Sequence, residues 1–336
     1  MKIIPFFIPE VKCSGKCIYC NQQIITGEKK HSENDIPNLL REFLDNVKTP
    51  ESDFEFAFFG GTFTAISKEI MRKLLEIIEI EFPQKRFKGI RFSTHPNSIN
   101  QEIIETLSDF KISTIELGIQ SFDKKVLKAL GRSDDINRMI HAIKLIKDKG
   151  YKLGIQLMTC TPKETIWTHI LNLKKLRALR PDYLRIYPLV VIKGTTLYRM
   201  YLDGDFISPS LEDSIKTTYL YIKKCREWGI KIIRMGLKNE PSLKKNIVVG
   251  PYHESYGELC WSYFFYRHIV KNLRKSKSGF FYINPVDISK FLGYKRKNIK
   301  KISNLYGFEL EYKITNNISS GEILFQADIN SGKDGN

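Results

Sequence analysis

Apolar and amphipathic segments alternate along the first two thirds of the chain. Six short apolar segments predict strands, at residues 3–8, 54–59, 89–93, 114–118, 152–158 and 183–187. The segments between them predict helices, because their apolar residues recur every three or four positions. This alternation is typical of an α/β fold with a parallel sheet and crossover helices. Since a closed barrel of this type needs eight units, the six units predict a partial (β/α)6, TIM-like barrel.

Three cysteines follow the first predicted strand. Cys13, Cys17 and Cys20 occur in the run C-S-G-K-C-I-Y-C, and no fourth cysteine lies nearby. Iron–sulfur clusters are generally held by four thiolates, so three closely spaced cysteines would leave one iron of a [4Fe-4S] cluster open. Two alternatives stay open, a zinc site completed by His31 and a set of unrelated thiols. A zinc site more often pairs two knuckles, and a second C-x2-C motif is absent.

Glycine and polar residues follow the later predicted strands, at the edge where parallel α/β folds gather their ligands. Gly60 and Gly61, followed by Thr62, come directly after the second strand and would allow close approach of a ligand to the backbone. His95, after the third strand, is interpreted as a loop residue rather than a metal ligand. Further polar residues in or after later strands are Ser93, Gln120, Arg132, Gln156 and Tyr187.

These motifs together resemble a known family. The spacing C-x3-C-x2-C, with an aromatic residue before the last cysteine, resembles the signature of the radical S-adenosylmethionine (SAM) enzymes. The runs F-G-G-T-F, I-E-L-G-I-Q-S-F-D and P-K-E-T resemble the subgroup that contains the catalytic subunit of Elongator. More distantly they are similar to the oxygen-independent coproporphyrinogen oxidases. The resemblance covers about the first 260 residues.

The resemblance implies two cofactors, a [4Fe-4S] cluster held by Cys13, Cys17 and Cys20, and SAM bound at its open iron. It also implies that the glycine motif binds the amino group of SAM, and that Gln120 and Arg132 hold its ribose and carboxylate. A guanidinium suits a carboxylate and an amide suits a hydroxyl. The alternative is that these two side chains cap a turn and end a helix. The expected cofactor-binding set is Gly60, Gly61, Thr62, Ser93, Gln120, Arg132, Gln156 and Tyr187.

The implied chemistry begins when an electron donor such as flavodoxin or ferredoxin reduces the cluster. SAM is then cleaved to a 5'-deoxyadenosyl radical, which takes a hydrogen atom from the substrate. His253, Glu258 and Cys160 are the candidates for catalytic contact with the substrate. Cys160 and Lys163 stand where relatives have glycine. A buried structural cysteine is the alternative for Cys160.

Positive charge is concentrated near the C-terminus of the 336-residue chain, whose formal net charge is +17. Ten Lys or Arg residues lie between positions 271 and 301, against the single acid Asp287. The turn after Gly293 faintly resembles the phosphate-clamping loop of a KH module, although the second glycine is missing. A solvated basic face is the alternative. The expected RNA-binding residues are Lys295, Arg296, Lys297, Lys300 and Lys301.

The sequence thus predicts a radical SAM core at 1–235, an extension packing on it at 236–278, and a small basic α+β appendage at 279–328. A disordered tail is expected at 329–336. No signal of an acetyltransferase domain, a leader or a membrane span is apparent, so we expect a cytoplasmic enzyme. Structured RNA, above all tRNA, is the expected substrate. The alternatives are a radical SAM enzyme for a small molecule such as a tetrapyrrole, and an RNA-binding protein with a structural cluster.

Overall fold

The computed structural model describes residues 1–8, 17–27, 31–132, 135–276 and 279–327. Within these residues the strands β1 to β12 are Lys2–Ile8, Phe54–Gly60, Phe87–Thr94, Ile112–Gln120, Lys152–Thr159, Tyr183–Pro188, Val191–Ile192, Lys231–Met235, Ile247–Val249, Gly279–Ile283, Tyr312–Ile314 and Ile323–Ala327. The helices α1 to α13 are Gln22–Thr26, Ile36–Asp45, Lys68–Glu81, Gln101–Leu107, Lys124–Ala129, Ile136–Asp148, Ile166–Leu179, Thr196–Leu202, Leu211–Glu227, Pro241–Asn246, Tyr256–Leu273, Ile288–Leu292 and Lys297–Tyr306. Cys13 and the expected tail at 329–336 lie outside the described residues.

The chain divides into two compact units. The first, residues 1–210 and 225–254, contains a parallel sheet in the order β1-β2-β3-β4-β5-β6-β8. Each strand pairs with its neighbours in parallel, so all carboxyl ends lie at one edge. The predicted α/β partial barrel is confirmed, with one strand more than expected. Sequence periodicity missed β8 because it is a short, half-exposed edge strand that includes Lys231 and Arg234.

One face of this sheet is apolar and the other is charged. Phe54, Phe56 and Phe58 of β2 are fully buried and pack against other aromatic rings, as in the 5.3 Å edge contact between Phe54 and Phe82. The intervening residue Glu55 points to the other face, because side chains alternate along a strand. Burial of the aromatic face supplies hydrophobic stabilisation, while the inner face carries charge.

The inner face holds a buried network of four charged side chains. Arg91 donates to Glu55 Oε2 through Nε and Nη2, at 2.9 and 2.6 Å, and to Glu116 Oε1 at 3.0 Å. Arg185 donates to both oxygens of Glu116, at 2.5 and 2.8 Å. Burial tends to raise the pKa of Glu116, but the charges and hydrogen bonds of Arg185 and Arg91 outweigh it and lower that pKa. The two carboxylates and two guanidinium groups therefore compensate one another inside the barrel.

The second unit comprises residues 211–224 and 255–336. Its central strand, β10, pairs in parallel with β11 and in antiparallel with β12. Phe265 of α11 packs on Phe291 of α12, which also contacts Phe281 of β10. Because α11 shares this core, the units do not coincide with the expected boundaries at 235 and 278. The functional division of the chain stays a prediction.

Among the helices that the described residues form, none combines the length and the apolarity that crossing a bilayer requires.

Candidate active site

A cavity of about 610 Å³ opens among the carboxyl ends of the parallel strands in the first unit. Every strand of the large sheet contributes to its lining, through Phe7, Gly60, Ser93, Gln120, Gln156, Tyr187 and Arg234, among others. The segment that contains Cys17 and Cys20 also borders it. Most residues expected to bind a cofactor therefore lie around a single cavity, as the strand order requires.

The backbone of the cysteine segment is hydrogen-bonded to the end of α5 and to α8. Ile18 donates its N–H to the carbonyl of Leu130 at 3.1 Å, and its own carbonyl accepts from Leu197 at 2.8 Å. Cys17 and Cys20 are half-buried at the cavity. No group of three potential metal ligands occurs within the described residues, so His31 does not complete a site with these two thiols. Cys13, the third expected ligand, lies outside those residues.

The two described thiols suit a cluster ligand set. Both are soft sulfur ligands of the kind that holds iron–sulfur clusters, and Arg132 places Nη1 at 3.8 Å from the Sγ of Cys17. Burial, followed by the charge of Cys17, raises the pKa of Tyr19 well above its ordinary value. A neutral tyrosine between the cysteines adds no charge to a site that would already hold thiolates.

Gly60 occupies a position that no other residue suits. Its φ of 103° lies in the left-handed region, and a Cβ there would be 2.5 Å from the carbonyl oxygen of Ile8. Gly60 also pairs with Ile8 across β1 and β2. Gly61 and Thr62 follow it along the cavity wall. The glycine pair thus presents backbone directly to the cavity, as its expected contact with SAM requires.

Arg132 is buried and points into the cavity. Its Nη2 donates to the carbonyl of Gly118 at 2.8 Å and lies 2.8 Å from Nε2 of His95. His95 Nδ1 accepts the backbone N–H of Asn97 at 3.2 Å and so stabilises the turn that follows β3. Its contact with Arg132 was not indicated by the sequence, because 37 residues separate the two.

The amides at the cavity occupy different environments. Gln156 donates through Nε2 to Ser93 Oγ at 2.9 Å and to Glu116 Oε2 at 3.1 Å. It is therefore held by the buried charge network beneath the cavity. Gln120 is half-buried with a φ of 64°, and lines the cavity at the end of β4. Both positions can present an amide to a hydroxyl, which is the role expected of them.

In the loop after β5, the two residues that stand where relatives have glycine both have a backbone conformation that glycine favours. Cys160 and Lys163 have φ values of 64° and 61°, in the region that glycine favours. The carboxylate of Glu164 accepts the backbone N–H of Cys160 at 2.9 Å and both the N–H and the hydroxyl of Thr161, at 3.2 and 2.9 Å. His169 Nε2 lies 3.2 Å from the same carboxylate. Glu164 therefore holds this strained turn in place.

The three candidates for substrate contact have different surroundings. Cys160 is 3% exposed and packs among apolar residues that include Val126 and Leu130. This placement is that of a structural cysteine, the alternative raised from the sequence. Neither Cys160 nor His253 is among the described residues that line the cavity. Glu258 lies in the first turn of α11, in the second unit. Sequence alone gave no signal that would separate these environments.

The cavity wall is rich in cations. Four of them, Arg132, Arg185, Arg234 and Lys238, line it, and among the described lining residues there is no carboxylate. Two of these cations pair with carboxylates that are not among the lining residues, Arg185 with Glu116 at 2.5 Å and Lys238 with Glu240 at 3.2 Å. The Arg185 guanidinium lies 4.8 Å from the Phe59 ring, and Lys238 Nζ lies 4.2 Å from the Phe7 ring. Beside Arg185, burial raises the pKa of Tyr187, so its hydroxyl stays protonated at neutral pH. These charges suit a ligand with carboxylate or phosphate groups.

The strand ends of this partial barrel bring together two thiols, a glycine that exposes its backbone, and a buried guanidinium. This combination suits an enzyme that holds an iron–sulfur cluster beside an anionic ligand. A family model described as the radical SAM superfamily matches residues 8–174, and one described as the radical SAM C-terminal domain matches 181–263. The chain belongs to the radical SAM superfamily, whose members are enzymes that bind a [4Fe-4S] cluster and SAM.

Curated relatives include Elongator-type proteins. The chain is 26% identical over 302 residues to the tRNA uridine(34) acetyltransferase of Methanocaldococcus infernus, covering 78% of this chain and 56% of the relative. It is 30% identical over 203 residues to an uncharacterized protein of Methanocaldococcus jannaschii, covering 58% and 62%. The heme chaperone HemW of Lactococcus lactis is 24% identical over 217 residues, covering 62% and 55%. The chain therefore spans less than two thirds of the length of each.

Solved structures share the fold. Archaeal Elp3 from Methanocaldococcus infernus has a TM-score of 0.60 and 19% identity, over 92% of this chain and 68% of that one. Coproporphyrinogen III oxidase from Escherichia coli has a TM-score of 0.52 and 18% identity, over 68% and 53%. At these identities the likeness concerns the fold alone.

Proposed function

We propose that this radical SAM enzyme acts on RNA, and that tRNA is its substrate. The observation that carries the proposal is a group of five exposed cations in the second unit, which we call the basic loop: Lys295, Arg296, Lys297, Lys300 and Lys301. Elongator-type relatives whose names refer to tRNA support the same substrate class. A flavodoxin or ferredoxin is the proposed electron donor.

The proposed cofactor contacts are made by the cysteine segment and by residues that line the cavity. Cys13, Cys17 and Cys20 would hold the [4Fe-4S] cluster, while the Gly60–Gly61 backbone and the remaining expected set would hold SAM. When bound, these groups supply a 5'-deoxyadenosyl radical by reductive cleavage of SAM. The chain itself fixes the ligands and shields them within the barrel. Arg132 would bind the SAM carboxylate, since a guanidinium pairs with it bidentately.

The basic loop has a fixed shape. Lys295 and Arg296 have φ values of 52° and 58°, and the turn is closed by a hydrogen bond from Arg296 N–H to the Gly293 carbonyl. Asn298 is buried and donates Nδ2 to the carbonyls of Ser262 and Phe291, at 2.9 and 3.0 Å. Because buried polar groups are costly to leave unpaired, Asn298 anchors the loop. The cations are thus presented on a preorganised turn and on the start of α13, which suits a phosphate backbone.

The cavity is compatible with a nucleotide. Its cations include Arg234 and Lys238, in addition to the Arg132 expected at SAM, and a nucleotide brings a phosphate that could pair with them. The aromatic rings of Phe7 and Phe59 offer flat apolar surfaces in the same cavity. These groups would position the substrate rather than perform a proton transfer.

A binding titration tests the RNA proposal. The protein is titrated with unmodified tRNA at several salt concentrations, together with a triple variant Lys295→Glu, Arg296→Glu, Lys297→Glu. We expect the variant to bind more weakly and to lose about one unit of the salt slope for each cation removed from a phosphate. A matched control reverses three exposed lysines of the first unit, Lys73→Glu, Lys85→Glu and Lys144→Glu, with the same total change of charge. Absence of tRNA binding by the wild type at low salt, or equal loss in both triple variants, would contradict the proposal.

A small-molecule substrate such as a tetrapyrrole is the second candidate. It is favoured by the similarity to a heme chaperone, 24% identical over 62% of the chain. A porphyrin carries carboxylates that would also suit Arg234 and Lys238. Saturable binding of a porphyrin, with no tRNA binding, would replace the RNA proposal by this one.

A further inference from the structure

Aromatic rings and cations alternate on one surface of the second unit. This tyrosine cluster consists of Tyr219 of α9, Tyr263, Tyr266 and Arg267 of α11, and Lys301 of α13. The rings of Tyr219 and Tyr263 are 5.4 Å apart edge to face, and those of Tyr263 and Tyr266 are 6.2 Å apart. The Arg267 guanidinium lies 5.4 and 5.9 Å from the first two rings, and Lys301 Nζ lies 5.4 Å from the third.

The cluster lies at the surface. Tyr263, Tyr266 and Arg267 are three and four positions apart on α11, so they share one helix face. Phe264 and Phe265, which lie between the two tyrosines in the sequence, are buried. The three tyrosines are half-buried, whereas Arg267 and Lys301 are exposed. Each ring therefore rests on the protein and keeps part of its surface accessible.

Long stretches of sequence around the tyrosine cluster carry positive charges and no negative ones. No acidic residue occurs between positions 259 and 278, which include most of α11, or between 288 and 308, which include α13. The acids nearest to Tyr219 along α9, Glu212 and Asp213, pair with Lys216 at 3.2 and 3.5 Å. The surface therefore favours a polyanion over a protein partner that has few acidic residues.

We propose that the tyrosine cluster is a stacking site for an unpaired base of the RNA that the basic loop binds. This inference rests on the RNA-binding function proposed above. Lys301 belongs both to the basic loop and to the cluster, so the cations of the basic loop reach the ring of Tyr266. Exposed aromatic rings beside cations are the platform on which proteins stack single-stranded bases. A duplex covers its base faces, so the occupant is an unpaired nucleotide.

Binding of a single-stranded oligoribonucleotide tests the site. Tyr266→Leu removes the ring and keeps an apolar side chain, Tyr266→Phe keeps the ring, and Tyr282→Leu changes a half-buried tyrosine of β10 outside the cluster. We expect Tyr266→Leu to bind roughly tenfold more weakly with an unchanged salt slope. Tyr266→Phe and Tyr282→Leu should bind like the wild type. Binding of the same RNA annealed to its complement should not respond to Tyr266→Leu.

A second readout locates the base. An oligoribonucleotide that contains 5-iodouridine is irradiated on the full-length protein, and the cross-linked peptide is identified by mass spectrometry. We expect cross-links at Tyr263 or Tyr266. If the wild type binds no RNA, the proposed function itself fails. If RNA binds and responds to charge reversal in the basic loop, while Tyr266→Leu binds normally and no cross-link forms at either tyrosine, only the stacking site is refuted.

Discussion

Arg132 holds a guanidinium nitrogen 3.8 Å from the sulfur of Cys17. The same side chain donates to the carbonyl of Gly118. A cation fixed at this point lies beside both the expected cluster and the expected carboxylate of SAM. It links Cys17, which lies 115 residues before it in the sequence, to Gly118 of β4.

Replacing Arg132 should weaken SAM binding without emptying the cluster site. In Arg132→Met the loss of charged hydrogen bonds corresponds to about 1.5 to 3 kcal/mol, or roughly a 10- to 150-fold increase in the Kd for SAM. Anaerobic equilibrium dialysis of the reconstituted protein measures this Kd, and iron analysis measures the cluster. Lys128→Met, on the exposed part of α5, is the matched control. An unchanged Kd in Arg132→Met would remove Arg132 from the SAM site.

The charge network inside the barrel should make stability depend on pH. The pKa of Glu116 is lowered in the folded protein, because Arg185 and Arg91 outweigh the effect of burial. Its contribution to stability is therefore present above the unfolded carboxyl pKa of about 4.3 and is lost as pH falls through the folded value. Glu116→Gln should unfold at lower urea concentration at neutral pH, with a loss of roughly 3 to 5 kcal/mol from unpaired buried charge.

Measuring the unfolding free energy at two pH values separates the effect of the Glu116 charge from a general loss of stability. The difference in unfolding free energy between wild type and Glu116→Gln should shrink in acid, where the wild-type carboxylate becomes protonated. Glu76→Gln, an exposed carboxylate on α3, should change stability little at either pH. A loss in Glu116→Gln that is equal at both pH values would show that the charge of Glu116 is not responsible.

Lys163→Gly should stabilise the protein. Lys163 is exposed and has a φ of 61°, a conformation that costs a residue with a Cβ roughly 1 to 2 kcal/mol. After the entropy cost of glycine, we expect a gain of about 0.5 to 1 kcal/mol in urea unfolding. Lys144→Gly, at an exposed helical position of α6, should instead lose about 1 kcal/mol. Destabilisation in both variants would contradict the strained conformation at position 163.

The sequence predicted the part of the fold that periodic patterns encode. All six expected strands are present, because long apolar strands between amphipathic helices give a strong signal. β8 was missed, since half-exposed edge strands lack that signal. A further signal was present but unused: Glu55, Arg91, Glu116 and Arg185 each interrupt an apolar strand with a charge, which places them together on the inner face. That pattern could have predicted the network.

The candidate site was predicted by motif rather than by periodicity. The strand-end positions of Gly60, Ser93 and Gln156 followed from the parallel sheet, whose carboxyl ends share one edge. Two findings depend on tertiary packing, which no local sequence pattern predicts. They are the contact between His95 and Arg132, and the inclusion of α11 in the second unit. The positive φ at Cys160 and Lys163 could be anticipated only through the glycines that stand there in relatives.

We propose that this chain cleaves SAM at a cluster held by Cys13, Cys17 and Cys20. The most direct measurement is 5'-deoxyadenosine, separated by chromatography after anaerobic reconstitution with iron and sulfide, reduction with dithionite and addition of SAM. We expect product from the wild type and from Cys225→Ala, whose buried thiol lies outside the cavity, and none from Cys17→Ala. A wild-type protein that takes up a full cluster yet forms no product, or equal product from Cys17→Ala, would refute this proposal.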